Sequence, residues 1–319
     1  MQQYHRPALL DEVIEFLNPQ PGQIFVDCTL GGAGHTKAIL SRIIPGGCVI
    51  GIDRDQDSIN QAQRELENFK ENVILVRRDF ADLDAILEEL SIESVNGVLM
   101  DLGVSSHQLD EPERGFSFQS PAPLDMRMDR SQPETAAGLV NRLSEKELAD
   151  LIYIHSDERW SRRIARAIVR AREKSPITTT TELAEIVASA VPGGRREKIH
   201  PATRTFQALR IAVNREMEAL DKALEAAARA LAIGGRMCVI SYHSLEDRKV
   251  KQFFVAGSGR CQCPPELPVC ICGRKQFLKV LTRRPVVPGD EEIEANPRAR
   301  SAKLRCAEKV GLRDREGKE

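Results

Sequence analysis

Short apolar runs alternate with amphipathic stretches over the first hundred residues of the chain. The apolar runs have the length and composition of buried strands and lie at residues 23–28, 48–53, 73–77 and 95–102. The stretches between them have helical spacing and lie at residues 36–44, 56–68 and 83–90. Because strands that alternate with helices form βαβ units, this part of the chain is predicted to build a parallel sheet.

The alternation stops after the fourth strand for roughly a hundred residues, whereas an ordinary connection has about 2–6. Residues 110–131 are rich in Pro, Gly, Asp, Arg and Met and have no period, which predicts a long ordered loop. Helical patterns follow at residues 144–154, 157–174 and 180–190. Two of these begin with the spacing of a capping box, Ser144 with Glu147 and Thr179 with Glu182. An inserted, mainly helical domain is therefore predicted.

The α/β rhythm resumes with a long helix predicted to end at Leu231, followed by two glycines and a fifth strand at residues 236–241. Two further strands are predicted at residues 277–281 and 302–307. The expected fold is α/β, with a Rossmann-like sheet of seven strands interrupted by the insertion. The predicted domains are residues 1–105 with 206–319 for the sheet and residues 106–205 for the insertion.

Charge and hydrophobicity limit the classes of partner. The net charge of −1 means that nucleic-acid binding would depend on local basic faces. The predicted helix at residues 157–174 carries six arginines and one lysine against three acidic residues, so its charged face is either solvated or in contact with RNA. Residues 1–17 do not resemble a signal peptide, and no apolar run would span a bilayer, so a cytoplasmic protein without a membrane is expected.

Eight cysteines without an export signal are typical of a reducing compartment. Four of them lie close together as two C-x-C pairs in a Pro-rich segment: Cys261, Cys263, Cys270 and Cys272. They either bind a tetrahedral zinc ion or have no metal, and the sequence leaves this open. The other four lie in strand patterns and are predicted to be core residues: Cys28, Cys48, Cys238 and Cys306.

A glycine-rich turn, Gly31 to His35, follows the first predicted strand and opens the first helix. Such a turn brings backbone N–H groups and a helix N-terminus to one place, and the absence of Cβ atoms lets a ligand approach closely. Asp53 ends the second strand, where a carboxylate can accept hydrogen bonds from ribose hydroxyls. These features predict a cofactor that contains a nucleoside.

The dinucleotide NAD and S-adenosylmethionine would both fit this pattern. The third glycine of a dinucleotide site would fall at Lys37. Aspartates at the ends of four predicted strands form a negative rim that attracts a sulfonium and repels a pyrophosphate: Asp27, Asp53, Asp79 and Asp101. S-adenosylmethionine is therefore favoured, although turn and helix-cap roles explain any one of these residues taken alone.

Short segments along nearly the whole chain resemble the bacterial RsmH (MraW) family of 16S ribosomal RNA cytosine-N4 methyltransferases. In order they are HRP at 5–7, LLDE at 9–12, DCTLGGAGHT at 27–36, IDRD at 52–55, DLGVSS at 101–106, RGFSF at 114–118, PLDMRMD at 123–129, HPATRTF at 200–206, SYHSLEDR at 241–248 and NPRARS at 296–301. The resemblance implies a class I methyltransferase sheet of seven strands with a helical insertion that recognises RNA. The implied substrate is a cytidine in the decoding region of 16S ribosomal RNA, within the small ribosomal subunit.

The resemblance also implies which residues bind S-adenosylmethionine: Ala33, Gly34, His35, Asp53, Phe80, Asp101 and Gln108. As catalytic residues we expect Asp101, which would accept a hydrogen from the amine, and His243, which would contact the cytosine, relay a proton or simply be a satisfied loop histidine. Arg204, Phe206 and Arg210 would stack on or clamp the RNA, with a place in the core as the alternative for Phe206. A nicotinamide-dependent oxidoreductase and a non-catalytic ribosome-assembly factor are the alternatives, and the oligomeric state, monomer or dimer, stays open.

Overall fold

A computed structural model describes residues 7–192, 200–260, Cys263 and 275–313. The chain folds into two compact units. The first, here called the sheet unit, comprises Met1–Gly103 and Ala219–Glu319, and the second, the helical unit, comprises Val104–Glu218.

Seven strands form one sheet in the described part of the sheet unit. They are β1 Ile24–Asp27, β2 Cys48–Asp53, β3 Val73–Arg77, β4 Val95–Asp101, β5 Leu231–Ser241, β6 Gln276–Val280 and β7 Lys303–Arg313. Their order across the sheet is β3-β2-β1-β4-β5-β7-β6, and β7 runs antiparallel to β5 and β6 while the other neighbours are parallel. The predicted Rossmann-like sheet of seven strands is thereby confirmed.

The helices in chain order are α1 Leu10–Leu17, α2 Gly34–Ile43, α3 Gln56–Glu65, α4 Leu83–Glu89, α5 Ser106–Asp110, α6 Ala136–Arg142, α7 Glu145–Ser156, α8 Ser161–Arg172, α9 Thr180–Ala190, α10 Ala202–Asn214, α11 Glu216–Ala230, α12 Ser244–Gly257 and α13 Asp290–Ala295. Helices of the sheet unit pack on the sheet, and its central strands are mainly apolar. Val98, Leu99 and Met100 of β4, for example, have no exposed surface. No helix among the described residues is both long and apolar enough to cross a membrane.

The strand order reverses at β1, which has β2 on one side and β4 on the other. Ligands of open α/β sheets bind outside the carboxyl ends of the strands at such a switch point. Asp27 lies at the end of β1 and Asp101 at the end of β4, and the paired register brings these two ends together. The fold therefore places the glycine-rich turn and Asp101 together at the carboxyl ends of the central strands.

The helical unit has a core of its own, built mainly from α6 to α10. Asn214 orders the long loop between α5 and α6, because its side chain accepts from the N–H of Met128 at 2.8 Å and donates to the carbonyl of Met126 at 2.7 Å. The ordered loop predicted from composition is confirmed. The domain boundary expected at residue 206 falls inside α10, whose Phe206 and Leu209 are core residues of the helical unit.

Three helix expectations differ from the structure. The long helix expected to end at Leu231 is two helices, because Arg215 takes a left-handed φ of 49° between α10 and α11. Asp157 also has a left-handed conformation and ends α7, so the basic helix starts at Ser161. Ser144 and Glu147 form the predicted capping box. At the start of α9 the Thr179 side chain accepts from the N–H of Glu182, but the Glu182 carboxylate accepts from the N–H of Thr178 instead of that of Thr179.

Strands β5 and β7, which pair with each other, are both longer than predicted. β5 begins at Leu231, ahead of the paired glycines, and the ladder to β4 contains a register shift there. Cys28, Cys238 and Cys306 are buried as expected, and Cys48 is half-buried. Of the cysteine cluster, Cys261, Cys270 and Cys272 lie outside the described residues, so the zinc hypothesis stays a prediction.

Candidate cofactor and active site

The glycine-rich turn has a conformation that its residue types only partly favour. Gly31 and Ala33 both take left-handed backbone angles, with φ of 47° and 62°. A Cβ at Gly34 would lie 2.3 Å from Cγ of Pro7, so this position needs glycine for packing. Gly32 has open space around it. The turn thus presents its backbone and the start of α2 at the switch point.

Asp53 ties the end of β2 to this turn. Its Oδ2 accepts a hydrogen bond from the N–H of Gly31 at 3.0 Å, and its Oδ1 accepts from the N–H of Asp55 at 2.9 Å. Burial raises the pKa of Asp53 to about 6, against the lowering effect of these two N–H groups. The Ser58 side chain is a third donor to this carboxylate. Because a carboxylate has about four acceptor sites, Asp53 retains capacity for a hydroxyl donor of a ligand.

The expected rim of four carboxylates is wrong at two positions. Asp27 is 1% exposed, and its oxygens accept from the Thr36 hydroxyl at 2.6 Å and the Thr29 N–H at 3.1 Å. Burial raises the pKa of Asp27. Asp79 lies beyond the end of β3, caps the short 3-10 turn Phe80–Asp82 and pairs with Arg54 at 3.1 Å. Asp53 and Asp101 are therefore the half-buried carboxylates that remain at the strand ends.

His35, the second residue of α2, is 6% exposed. Neither ring nitrogen has a hydrogen-bond partner among the described residues, and Nε2 lies 3.6 Å from Oδ2 of Asp101. Leaving a buried polar group unsatisfied costs about 1–3 kcal/mol, so such groups are rare without a reason. The imidazole is therefore placed to bond a ligand at the switch point.

Asp101 is held from three directions at the end of β4. Its N–H donates to Oγ1 of Thr29 at 2.6 Å, and its Oδ1 accepts from the Tyr242 hydroxyl at 2.9 Å. Its Oδ2 faces His35, and its side chain is 22% exposed. The carboxylate is thus fixed in direction while part of it stays open to a ligand.

His243 begins α12 as its N-cap residue. Nδ1 accepts from the N–H of Glu246 at 3.4 Å, and Nε2 lies 3.0 Å from Oε1 of the same residue. Glu246 in turn accepts from the N–H groups of Tyr242 and His243, at 2.8 and 3.3 Å. This reciprocal arrangement is a capping box, and the sequence did not indicate it because the usual first residue of the motif is Ser or Thr. Nδ1 thus serves the helix cap, whereas Nε2 is buried without a hydrogen-bond partner among the described residues, so the catalytic role of His243 stays a prediction.

The remaining expected site residues lie in different surroundings. Phe80 is half-buried just after β3 in the sheet unit. Gln108 belongs to the helical unit, where it is buried and forms a capping box with Ser105. Phe206 is a core residue that packs edge-to-face on Phe118 with ring centroids 4.8 Å apart. The cofactor roles of Phe80 and Gln108 stay predictions.

The helical unit carries the expected basic surface on α8. This helix contains five arginines and no acidic residue, and Arg162, Arg163, Arg166 and Arg170 are exposed. Arg210, expected near the RNA, instead forms a two-contact ion pair with Glu216, at 3.0 and 2.9 Å. Arg204 is 58% exposed and lies 3.5 Å from Glu158.

Comparison with known proteins identifies relatives along almost the whole chain. A family model described as the MraW methylase family matches residues 2–310. The relatives named "Ribosomal RNA small subunit methyltransferase H" include the following three. The one from Geobacter sp. (strain M21) is 50% identical and covers 97% of this chain and 100% of its own. That from Geobacter sulfurreducens is 53% identical over 96% and 99%, and that from Brevibacillus brevis is 49% identical over 96% and 98%.

Proposed function

We propose, on the premise that this chain belongs to the MraW methylase family, that it methylates a single base of the small-subunit ribosomal RNA. The chain is an S-adenosylmethionine-dependent methyltransferase, which decides against the oxidoreductase and the non-catalytic assembly factor. We further propose that the acceptor is the exocyclic N4 amine of a cytidine in the decoding region. The small subunit as partner and the cytoplasm as compartment are proposals that follow from this substrate.

The residues of the turn suit S-adenosylmethionine. The cofactor supplies an electrophilic methyl group on a sulfonium, and a cationic centre is favoured beside Asp53 and Asp101. Asp53 retains acceptor capacity for ribose hydroxyls, and His35 has buried ring nitrogens without a partner among the described residues. Ala33 and Gly34 present the backbone at the start of α2. We propose Phe80 and Gln108 as further contacts, on the family resemblance alone.

Asp101 carries the chemical proposal, because it lies at the end of β4 beside the turn with part of its carboxylate exposed. A cytosine amine is a poor nucleophile, since its lone pair is delocalised into the ring. Holding the amine in line with the methyl group supplies about 7–11 kcal/mol of barrier reduction. Accepting an N4 hydrogen on Asp101 concentrates the lone pair on nitrogen and adds roughly 10²–10⁴-fold.

We assign recognition of the RNA to the helical unit. The Watson–Crick edge of cytosine contains N4, so the base must be unpaired before transfer. Arginines on α8 are complementary in charge to the phosphates of RNA.

The double substitution Arg163→Glu with Arg166→Glu is expected to weaken RNA binding at least tenfold and leave the Kd for S-adenosylmethionine unchanged. The matched control, Arg64→Glu with Lys70→Glu, makes the same charge change at exposed positions of the sheet unit. Equal RNA affinity in both pairs would exclude this face.

Incubation with labelled S-adenosylmethionine and nucleoside analysis of the RNA tests the reaction itself. Undermethylated small subunits and naked 16S ribosomal RNA serve as the two substrates. Label is expected in N4-methylcytidine at one site. Label in another nucleoside, or on the cytosine ring carbon, would contradict the proposed acceptor.

A further inference from the structure

The Tyr242 hydroxyl forms the hydrogen bond that fixes Asp101. Tyr242 follows β5, the neighbour of β4 in the sheet, and its hydroxyl donates to Oδ1 of Asp101 at 2.9 Å. Gly103, just past β4, has φ of 100° and leaves room beside the tyrosine ring, whose Cδ2 would lie 3.6 Å from an added Cβ. The two loops after β4 and β5 therefore meet at this hydrogen bond.

Tyr242 is itself held at its backbone. Glu246 is 1% exposed, and its Oε2 accepts from the Tyr242 N–H at 2.8 Å, so the first turn of α12 sets the position of the tyrosine. Burial and the neighbouring Asp101 carboxylate raise the pKa of Tyr242. The phenol therefore keeps its proton near neutral pH and remains a donor.

We propose that Tyr242 is a positioning residue that holds the Asp101 carboxylate in the orientation needed to accept a hydrogen from the substrate amine. With Oδ1 occupied by the hydroxyl, Oδ2 and the remaining lone pairs face the side of His35. Without the hydroxyl, the carboxylate can rotate about χ2, a torsion with a broad energy well. This role of Tyr242 rests on the proposed role of Asp101, whose carboxylate Tyr242 would orient.

Tyr242→Phe removes the hydroxyl and keeps the ring that packs in the core. Hydrogen bonds to a charged group are among the stronger ones, so we expect the single-turnover methylation rate to fall by roughly 10- to 100-fold. The Kd for S-adenosylmethionine should change by less than about threefold. The control is Ser94→Ala, which removes a hydroxyl from an exposed position of the sheet unit, just before β4 and at the opposite end of that strand from Asp101. This control should keep the wild-type rate.

A double-mutant cycle with Asp101→Asn separates positioning from general stability. If Tyr242 acts through Asp101, the tyrosine substitution should cost less than about threefold in the Asp101→Asn background. Equal losses in both backgrounds, particularly with a lower melting temperature, would assign Tyr242 a structural role and overturn the proposal. A wild-type rate for Tyr242→Phe would overturn it as well. A wild-type rate for Asp101→Asn would instead refute the proposed function of Asp101, so the two failures are distinguishable.

Discussion

Strands β1 and β4 both end in an aspartate, yet the two carboxylates differ in exposure and in hydrogen-bond partners. Asp27 is 1% exposed and both of its oxygens accept hydrogen bonds from its own neighbourhood, from Thr29 and Thr36. Asp101 has a side chain that is 22% exposed, and the Tyr242 hydroxyl that donates to its Oδ1 lies 141 residues away in the chain. The first carboxylate braces the glycine-rich turn, whereas part of the second is exposed.

The local chain path explains the difference. After β1 the chain turns back at Gly31 and Ala33 into α2, so Thr36 of that helix covers Asp27. After β4 the backbone takes a positive φ at Gly103. Thr29 joins the two ends, because its N–H donates to Asp27 and its hydroxyl accepts from the N–H of Asp101. The side chain that covers Asp27 therefore comes from the next few residues of the chain, whereas the hydroxyl that holds Asp101 comes from a distant one.

The largest expected effect is on Asp101. Asp101→Asn keeps the shape of the side chain and an acceptor for Tyr242 but loses the charge. We expect kcat at saturating S-adenosylmethionine to fall by roughly 10²–10⁴-fold with an unchanged melting temperature, and the Kd for S-adenosylmethionine to rise because the sulfonium loses one nearby carboxylate. Steady-state kinetics with isothermal titration checks this. Near-wild-type turnover with normal cofactor binding would contradict the proposed catalytic role of Asp101.

The second prediction concerns stability at Asp27. Asp27→Ala leaves the Thr36 hydroxyl and the Thr29 N–H without their buried acceptor, so the free energy of unfolding should fall by about 2–4 kcal/mol. Thr36→Val, which removes one partner of the same hydrogen bond, should cost less. Urea denaturation measures both. An unchanged urea midpoint for Asp27→Ala would show that this carboxylate does not brace the turn.

The third prediction uses the pH dependence of Asp53. Its folded pKa of about 6 lies above the ordinary value, so the folded chain holds this proton more tightly than the unfolded chain does. Stability without cofactor should therefore decrease as pH rises from about 4 to 6. Cofactor affinity should change in the opposite direction, because the ionised carboxylate is the better acceptor of ribose hydroxyls.

Titration of S-adenosylmethionine between pH 5 and 7.5 checks this opposite trend, and the Kd should decrease by roughly tenfold over that range. Asp53→Asn is the control, and its affinity should be weaker and independent of pH. The same slope in wild type and Asp53→Asn would place the titrating group elsewhere.

The smallest expected effect is at Ala33. Ala33→Gly relieves a left-handed φ of 62° at the cost of a more flexible unfolded chain, so stability should rise by only about 0.5 kcal/mol. Gly32→Ala, at a position with open space, should be close to neutral. Thermal unfolding compares the two. A clear loss of stability in Ala33→Gly would mean that the methyl group contributes packing to the turn.

Elements with a strong pattern were predictable to the residue. Strands β2 and β3 and helix α9 have the predicted bounds, because apolar periodicity and the flanking polar residues end at the same positions. The break at Arg215 was not predictable, since both α10 and α11 have a continuous helical pattern and arginine rarely takes a left-handed φ. The site could be predicted in part. The turn, Asp53 and Asp101 follow from residue type and strand position, whereas the hydrogen bonds of His243 required coordinates.

The sequence by itself determined the alternation of strands and helices, the glycine-rich turn and the family resemblance, because these depend on the order and spacing of residues. The tertiary structure alone decided which aspartate stays open and which partner holds it. That decision depends on contacts between residues far apart in the chain, such as Asp101 with Tyr242 and with His35. Burial and hydrogen-bond geometry are properties of the folded packing, so identical residues at equivalent strand ends acquire different roles.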